Sequence, residues 1–201
     1  SINPSINPSV NPSVNPSVNS SVNLNVNDNV NVNSKRNSQI PIISKMNEIV
    51  PMNEKQRVLE CGVIFCDYYG RKIIIVSQRE SGLWGLPKGH FNYNEVIDKN
   101  FFTCAKRELL EETGVRYNNY SFEVFSEIIL ADKLFYLIRP KRPMKLDLYP
   151  RDNNEIQFVR WLRIENLESF LNKTNCNRTL KDFYYKLKNM NKTNKTNRTT
   201  F

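Results

Sequence analysis

The apolar positions of this chain are concentrated in its centre, in two runs that precede a glycine-rich segment. The runs RVLECGVIFC and RKIIIVSQ occupy residues 57–66 and 71–78. Apolar, β-branched runs of this length are typical of buried strands, and the short segment DYYG between them predicts a tight turn. We therefore expect these two strands to form a β-hairpin. Residues 79–94 contain three of the six glycines and predict a loop.

The pattern then changes to a helical period. Residues 98–113 place Phe102, Ala105 and Leu109 on one stripe, which predicts an amphipathic helix that packs on the strands. Gly114 follows directly, and a glycine at this position ends a helix in the left-handed conformation. The helix is therefore expected to stop at Thr113.

The remaining periodic segments alternate between strands and helices. Strand patterns occur at residues 121–130, 133–138 and 155–164, and helical patterns occur at 165–171 and 180–190. This order predicts a mixed α/β sandwich of one domain.

Composition divides the chain into three parts. Residues 1–56 contain no Phe, Trp or Tyr and begin with repeated Ser-(Ile/Val)-Asn-Pro units, so they predict a low-complexity, disordered arm. Residues 57–188 hold the periodic segments and are expected to form the folded domain. Residues 189–201 are rich in Lys, Thr and Asn and predict a basic, flexible tail.

Charge is distributed as unevenly as apolar surface. The formal net charge is +9, but residues 172–201 carry six Lys and two Arg against one Asp, so the centre is nearly neutral. A basic segment of this kind favours contact with a phosphate-containing partner. No apolar run approaches the roughly 18 residues of a membrane span, and no secretory signal pattern is present. These features predict a soluble intracellular protein without membrane association and favour the cytoplasm.

Three carboxylates are spaced to meet on one side of the predicted helix. Glu108, Glu111 and Glu112 stand at i, i+3 and i+4. Like charges repel, and a hard divalent cation such as Mg²⁺ or Mn²⁺ relieves that repulsion because it prefers oxygen ligands. The alternative is a solvated acidic face in which Arg107 pairs with Glu111, and the spacing alone leaves both interpretations open.

The loop before the helix has the composition of a phosphate site. The segment WGLPKGH, residues 84–90, brings glycines and Lys88 close to the helix. Glycine allows the backbone to approach a phosphate, and lysine supplies the opposing charge. Loop and helix together predict a pyrophosphate-binding site.

These residues resemble a known signature. Gly89, Glu95 and the run REL-x-EE-x-GV at residues 107–115 are similar to the Nudix hydrolase motif, Gly-x5-Glu-x7-Arg-Glu-(apolar)-x-Glu-Glu-x-Gly-(apolar). Eleven residues rather than seven separate Glu95 from Arg107, so the motif contains a four-residue insertion. The resemblance covers residues 57–170 and implies an α/β/α sandwich with a mixed sheet.

The resemblance also implies an activity and a metal site. Its members hydrolyse a nucleoside diphosphate linked to another group, with water activated near Mg²⁺ or Mn²⁺. By position, Glu108, Glu111 and Glu112 would be the metal ligands, with Glu111 assigned as the base as well. Arg107 would orient the carboxylates.

The other half of the signature implies contacts to the substrate and to Arg107. Gly89 would allow the close approach to the diphosphate, and Lys88 would stabilise its charge. Glu95 would hold Arg107, with Asp98 as the substitute because of the insertion.

A further carboxylate is assigned from a second spacing. Glu155 lies six residues before Trp161, similar to a Glu-Ile-x-x-(apolar)-x-Trp pattern of several Nudix subfamilies, including decapping enzymes. We assign Glu155 as an extra metal ligand or general base. The alternative is an exposed residue at a strand entrance.

Only the resemblance to particular subfamilies narrows the range of possible substrates. WGLPKGH is similar both to diadenosine-polyphosphate hydrolases and to mRNA-decapping enzymes, whereas Cys104-Ala105 before the motif favours the decapping group. We therefore predict a nucleotide or capped-RNA substrate, with RNA contacts from the basic C-terminal tail. The alternatives are a diadenosine polyphosphate or other small nucleotide, or an inactive Nudix-fold module that binds RNA. The aromatic residues Phe183 and Tyr184 stack on bases or, more commonly for this spacing, anchor a terminal helix.

Overall fold

A computed structural model describes residues 43, 46, 49–55, 58–97 and 100–196 of the chain. Most of the predicted arm, the predicted helical residues 98 and 99, and residues 197–201 lie outside the described residues. All statements below concern the described part.

The described residues form seven strands and five α-helices. The strands are β1 Glu60–Phe65, β2 Lys72–Gln78, β3 Trp84–Gly85, β4 Lys88–His90, β5 Phe122–Leu130, β6 Lys133–Pro140 and β7 Ile156–Arg163. The helices are α1 Met52–Lys55, α2 Tyr93–Ile97, α3 Phe101–Thr113, α4 Leu167–Lys173 and α5 Arg178–Thr196, with a 3-10 turn at Ile164–Asn166 before α4. The predicted loop at residues 79–94 therefore contains β3, β4 and the start of α2.

The strands form two sheets. One has the order β4-β1-β6-β5, in which β1 and β6 are parallel and the other neighbours are antiparallel. The other has the antiparallel order β3-β2-β7. The prediction of a β1–β2 hairpin is wrong, because the turn is present but only Cys66 and Ile73 pair across it. Both strands are apolar on both faces, so each requires its own neighbours, and these come from distant segments.

Helices cover both sides of the sheets. Alternate residues of β1 enter two different cores: Val63 and Phe65 pack with α3, while Ile64 packs in the cluster that includes Phe183 and Leu187 of α5. The predicted α/β/α arrangement with a mixed sheet is confirmed. Phe183 is fully buried, so in α5 it anchors the helix, as the helical spacing favoured.

Helix α3 begins later than predicted. Asn100 caps it, because the Asn100 side chain accepts a hydrogen bond from the backbone N–H of Thr103 at 3.1 Å. The four-residue insertion is thus accommodated by the separate helix α2 and this new helix start. The predicted end is confirmed: Gly114 has φ of 76° and its N–H donates to the Leu110 carbonyl.

The described elements extend past both predicted domain boundaries. Ile43, Met46 and Val50 are buried in the cores, although they precede residue 57. Helix α5 continues to Thr196, which lies within the predicted tail. The arm and tail assignments otherwise stay predictions.

Gly114 permits a matched test of helix termination. Its positive φ disfavours any side chain, and a Cβ would also meet the backbone carbonyl of Tyr149 at 2.6 Å. Gly82 has a similar φ of 65°, but nothing lies within 4 Å of its Cβ position. We expect Gly82→Ala to lower the free energy of unfolding by about 1 kcal/mol and Gly114→Ala by about 2 kcal/mol or more. Urea denaturation measures both, and equal losses would show that the contact with Tyr149 has no effect.

Candidate active site

The glycine-rich loop lies against the acidic side of α3. Gly89 pairs with Cys61 of β1, which fixes β4 as an edge strand above the helix. A Cβ at Gly89 would collide with the carboxylate of Glu108. The backbone N–H of Lys88 donates to Glu112 Oε2 at 3.0 Å. Loop and helix therefore meet through two of the three carboxylates, and a side chain at residue 89 would displace the carboxylate of Glu108.

Arg107 connects both halves of the sequence motif. Its Nε and Nη2 atoms each donate to a different oxygen of Glu95 at 3.0 Å, which is a bidentate ion pair. Nη1 donates to Glu108 at 2.6 Å and to Glu111 at 2.8 Å, and Nη2 also donates to the His90 carbonyl at 2.7 Å. Glu95 is therefore the partner of Arg107 despite the insertion.

The carboxylates differ sharply in exposure. Glu108 and Glu112 are 5% and 2% exposed, whereas the Glu111 side chain is 44% exposed. Burial raises the pKa of Glu108 to about 7, although Arg107 opposes the shift. Burial also raises the pKa of Glu112, and the neighbouring charge of Glu108 acts in the same direction. Two buried like-charged groups in contact with a loop are a costly arrangement without a cation.

Glu155 comes from a distant segment but joins this electrostatic group. Its charge contributes to the raised pKa values of both Glu108 and Glu112. Its backbone carbonyl accepts a hydrogen bond from Arg79 N–H at 2.8 Å, which ties the entrance of β7 to the end of β2. The side chain itself is exposed. Position and charge fit the predicted role, and the role stays a prediction.

The loop that carries Glu155 also caps α3. The backbone N–H groups of Arg151 and Asp152 both donate to the Glu111 carbonyl, at 2.7 and 3.1 Å, and Tyr149 N–H donates to the Thr113 carbonyl at 3.2 Å. The last carbonyls of a helix need such partners. The same contacts therefore end the helix and bring Glu155 to its acidic side.

Glu60 is a site neighbour that the sequence did not reveal. Its carboxylate pairs with the Lys88 and Lys133 ammonium groups, each at 2.5 Å, and His90 Nε2 lies 3.7 Å away. Burial opposes ionisation of Glu60, but the hydrogen bonds from Lys133 and Lys88 outweigh it and lower the pKa. The Lys88 ammonium thus faces Glu60 while its backbone holds Glu112. The one signal in the sequence was that Glu60 is a charged residue at the start of an apolar strand.

Glu60→Gln tests how much this pairing stabilises the domain. Because the folded-state pKa is lowered, the stabilisation is present above about pH 4.5 and is lost as the pH falls further. We expect the variant to lose about 1–2 kcal/mol of unfolding free energy at pH 7 and much less near pH 3. Urea denaturation at both values measures this, with Glu165→Gln as the control, since Glu165 is an exposed partner of Arg163. A loss independent of pH would contradict a charge-based role.

The candidate metal ligands have the chemistry that a divalent cation prefers, although their side chains do not converge on one point. Within the described ranges, no group of three His, Cys, Asp or Glu side chains is close enough together to hold a metal ion. Arg107 lies between Glu108 and Glu111 instead. All candidate ligands are nevertheless carboxylate oxygens, two of them buried among like charges, which is the donor chemistry of Mg²⁺ and Mn²⁺.

The predicted site residues thus fall into one region, except for Asp98. The structure brings together Arg107, Glu108, Glu111, Glu112, Glu95, Lys88, Gly89 and Glu155. Asp98 lies outside the described residues. Cys104, one turn before Glu108, is buried with its Sγ atom 3.6 Å from the His90 carbonyl, so it packs the helix against the loop.

Comparison with known proteins identifies the family. A family model described as NUDIX domain matches residues 57–184. A viral protein named "Putative hydrolase 111R", from Invertebrate iridescent virus 3, is 28% identical over 127 residues, which are 62% of this chain and 68% of that protein.

Solved structures give similar but weaker matches. The NUDIX domain of Shewanella oneidensis NrtR, complexed with ADP ribose, is 16% identical with a TM-score of 0.46, over 70% of this chain and 92% of that one. An Ap4A hydrolase of C. elegans is 16% identical with a TM-score of 0.42, over 56% and 86%.

The family match spans more than half of the chain and includes the loop, α3 and β7, and the chain therefore belongs to the Nudix family. It is a Nudix hydrolase, and the predicted pyrophosphohydrolase class is confirmed. No helix among the described residues is long and apolar enough to cross a membrane.

Proposed function

We propose that this hydrolase cleaves the pyrophosphate bond of a nucleoside diphosphate-linked substrate with Mg²⁺ or Mn²⁺, and that its preferred substrate is capped mRNA. The observation that supports the reaction is the contact of two buried carboxylates, Glu108 and Glu112, with the loop at Lys88 and Gly89. Buried carboxylates against a phosphate-compatible loop have little stabilising value by themselves, so a catalytic role explains the arrangement.

Each group of site residues has a separate role in the reaction. Glu108, Glu111 and Glu112 would hold the cation, which would polarise phosphoryl oxygens and lower the pKa of water when bound. Glu155 or the exposed Glu111 accepts the proton of the attacking water, because both reach solvent. Arg107 fixes the carboxylates through its shared contacts. The backbone at Gly89 gives the diphosphate room to approach.

The preference for capped RNA rests on two features outside the reacting centre. The Glu155-to-Trp161 spacing resembles decapping enzymes, with Glu155 directly before β7 and Trp161 within it. Helix α5 contains six basic residues and one acidic residue. Its apolar side is buried through Phe183 and Leu187, which leaves basic positions such as Lys181 exposed. A basic surface of this kind adds affinity for a polyanion and little for a small nucleotide.

A hydrolysis panel tests the proposal. The full chain, with Mg²⁺ or Mn²⁺, is offered capped RNA, diadenosine tetraphosphate, ADP-ribose, NADH, diphosphoinositol phosphates and oxidised nucleoside triphosphates. We expect metal-dependent release of a cap nucleoside diphosphate, with a kcat/KM for capped RNA at least about tenfold above every small substrate. A higher kcat/KM for any small nucleotide would overturn the preference for RNA.

Two alternatives are distinguished by the same panel. Preference for diadenosine tetraphosphate would favour a dinucleotide hydrolase, for which the WGLPKGH loop is equally suited. RNA binding without turnover of any substrate would indicate an inactive module. The complete set of carboxylates argues against that outcome, because an inactive protein has no use for buried like charges.

A further inference from the structure

Strand β7 presents an aromatic ring and a guanidinium side by side near the site. Phe158 is 55% exposed, and Arg160, two residues along, lies on the same face of the strand and is exposed. Phe158 is opposite Ser77, which is opposite Trp84, so the three residues form one row across the sheet. Phe158 lies three residues after Glu155, a path of about 10 Å along an extended chain, and on the opposite face of the strand from Val159 and Trp161, which pack on the α3 side.

Arg160 is held by aromatic rings rather than by acids. Its guanidinium carbon lies 4.4 Å from the centroid of the Trp84 ring and 4.9 Å from that of Phe170. None of the ion pairs between described residues includes Arg160. Stacking fixes a guanidinium without using its N–H donors in the plane, so the charge is oriented and available to an anion.

The surface continues into a basic cleft. A cavity of about 370 Å³ lies beside the row formed by Trp84, Ser77 and Phe158. It is bounded by Leu83 and by the connection of α4 to α5. Its lining includes Lys173 and Lys181, which are both exposed, together with neutral polar residues. Trp84 joins the two features, because it pairs with Cys176 in that connection.

We propose that Phe158, Arg160, Lys173 and Lys181, the β7 surface, bind the single-stranded RNA that follows the cap. Phe158 stacks a base, Arg160 binds the neighbouring phosphate, and the two lysines continue the contact with the backbone. The inference rests on the proposed function for its direction, since the scissile pyrophosphate would lie at Glu155. From there the RNA would pass round the edge strand β7 to the face that carries Phe158 and Arg160. An exposed ring beside cations that form no ion pair with the described residues is the composition of single-strand RNA surfaces, whereas a protein partner would require a larger apolar area.

The test compares Phe158→Ala and Arg160→Ala with Tyr120→Ala. This control removes an exposed ring that lies outside β7. Binding of the full chain to uncapped, fluorescent RNA of about 20 nucleotides is measured by anisotropy without divalent metal. We expect Kd to rise about tenfold for Phe158→Ala and for Arg160→Ala, and to stay unchanged for the control. The salt slope of log Kd should become shallower by about 0.7 for Arg160→Ala only.

Kinetics then separate this surface from the reacting centre. For both variants, kcat/KM for long capped RNA should fall about tenfold relative to that for a capped dinucleotide, which is too short to follow β7. Unchanged RNA affinity in both variants, as for a surface that binds protein, would overturn the proposal. Equal losses on both substrates would overturn it as well. If the parent protein hydrolyses no capped RNA, the proposed function fails, while the anisotropy result still decides whether the β7 surface binds RNA.

Discussion

Replacing Glu112 by Gln is expected to reduce kcat for pyrophosphate hydrolysis by about a thousandfold. Glu112 is 2% exposed and faces Glu108 and the Lys88 backbone. The amide oxygen of Gln can still accept the hydrogen bond from Lys88 N–H, so the loop keeps its position and only the charge is lost. Initial rates with saturating Mg²⁺ or Mn²⁺ measure the effect.

Stability distinguishes this loss from a folding defect. Burial disfavours the charged form of Glu112, so the neutral variant should be at least as stable as the metal-free parent at pH 8. Glu123→Gln is the matched control, because Glu123 is a partly exposed carboxylate paired with Arg139 on the sheet edge. A Glu112→Gln enzyme with parental kcat would show that this buried charge has no catalytic role.

Arg107→Lys is expected to lower kcat by about a hundredfold and unfolding free energy by about 2–4 kcal/mol. A lysine ammonium cannot donate in one plane to Glu95, Glu108 and the His90 carbonyl together. Glu95, which is 4% exposed, would be left without its bidentate partner. Activity assays and urea denaturation measure the two losses.

The pairing with Glu95 can be isolated by a double-mutant cycle. Because both variants break the same ion pair, Glu95→Gln and Arg107→Lys should destabilise the domain much less together than the sum of their separate effects. Arg163→Lys is the control, since Arg163 forms an exposed pair with Glu165. Additive losses would mean that Glu95 and Arg107 act independently and that the insertion separates the two halves of the motif.

Local patterns predicted most of the elements but not their partners. The strand and helix patterns after residue 120 correspond to β5, β6, β7, α4 and α5 within a few residues. Helix α3 was predicted to start too early, because the capping geometry of Asn100 is set by the α2 turn before it. The β1–β2 hairpin was wrong for a similar reason. A turn brings two strands close, but partner choice depends on which distant strands cover their apolar faces.

The sequence by itself determined that Glu108, Glu111 and Glu112 share one side of a helix that ends at Gly114, because helical period and glycine conformation are local properties. Only the tertiary structure decided what surrounds them. It tied the loop that carries Glu155 to the end of α3, paired the Lys88 ammonium with Glu60, and stacked Arg160 on Trp84 and Phe170. These contacts join segments far apart in the chain, so burial and packing between sheets and helices set them, and no local pattern encodes them.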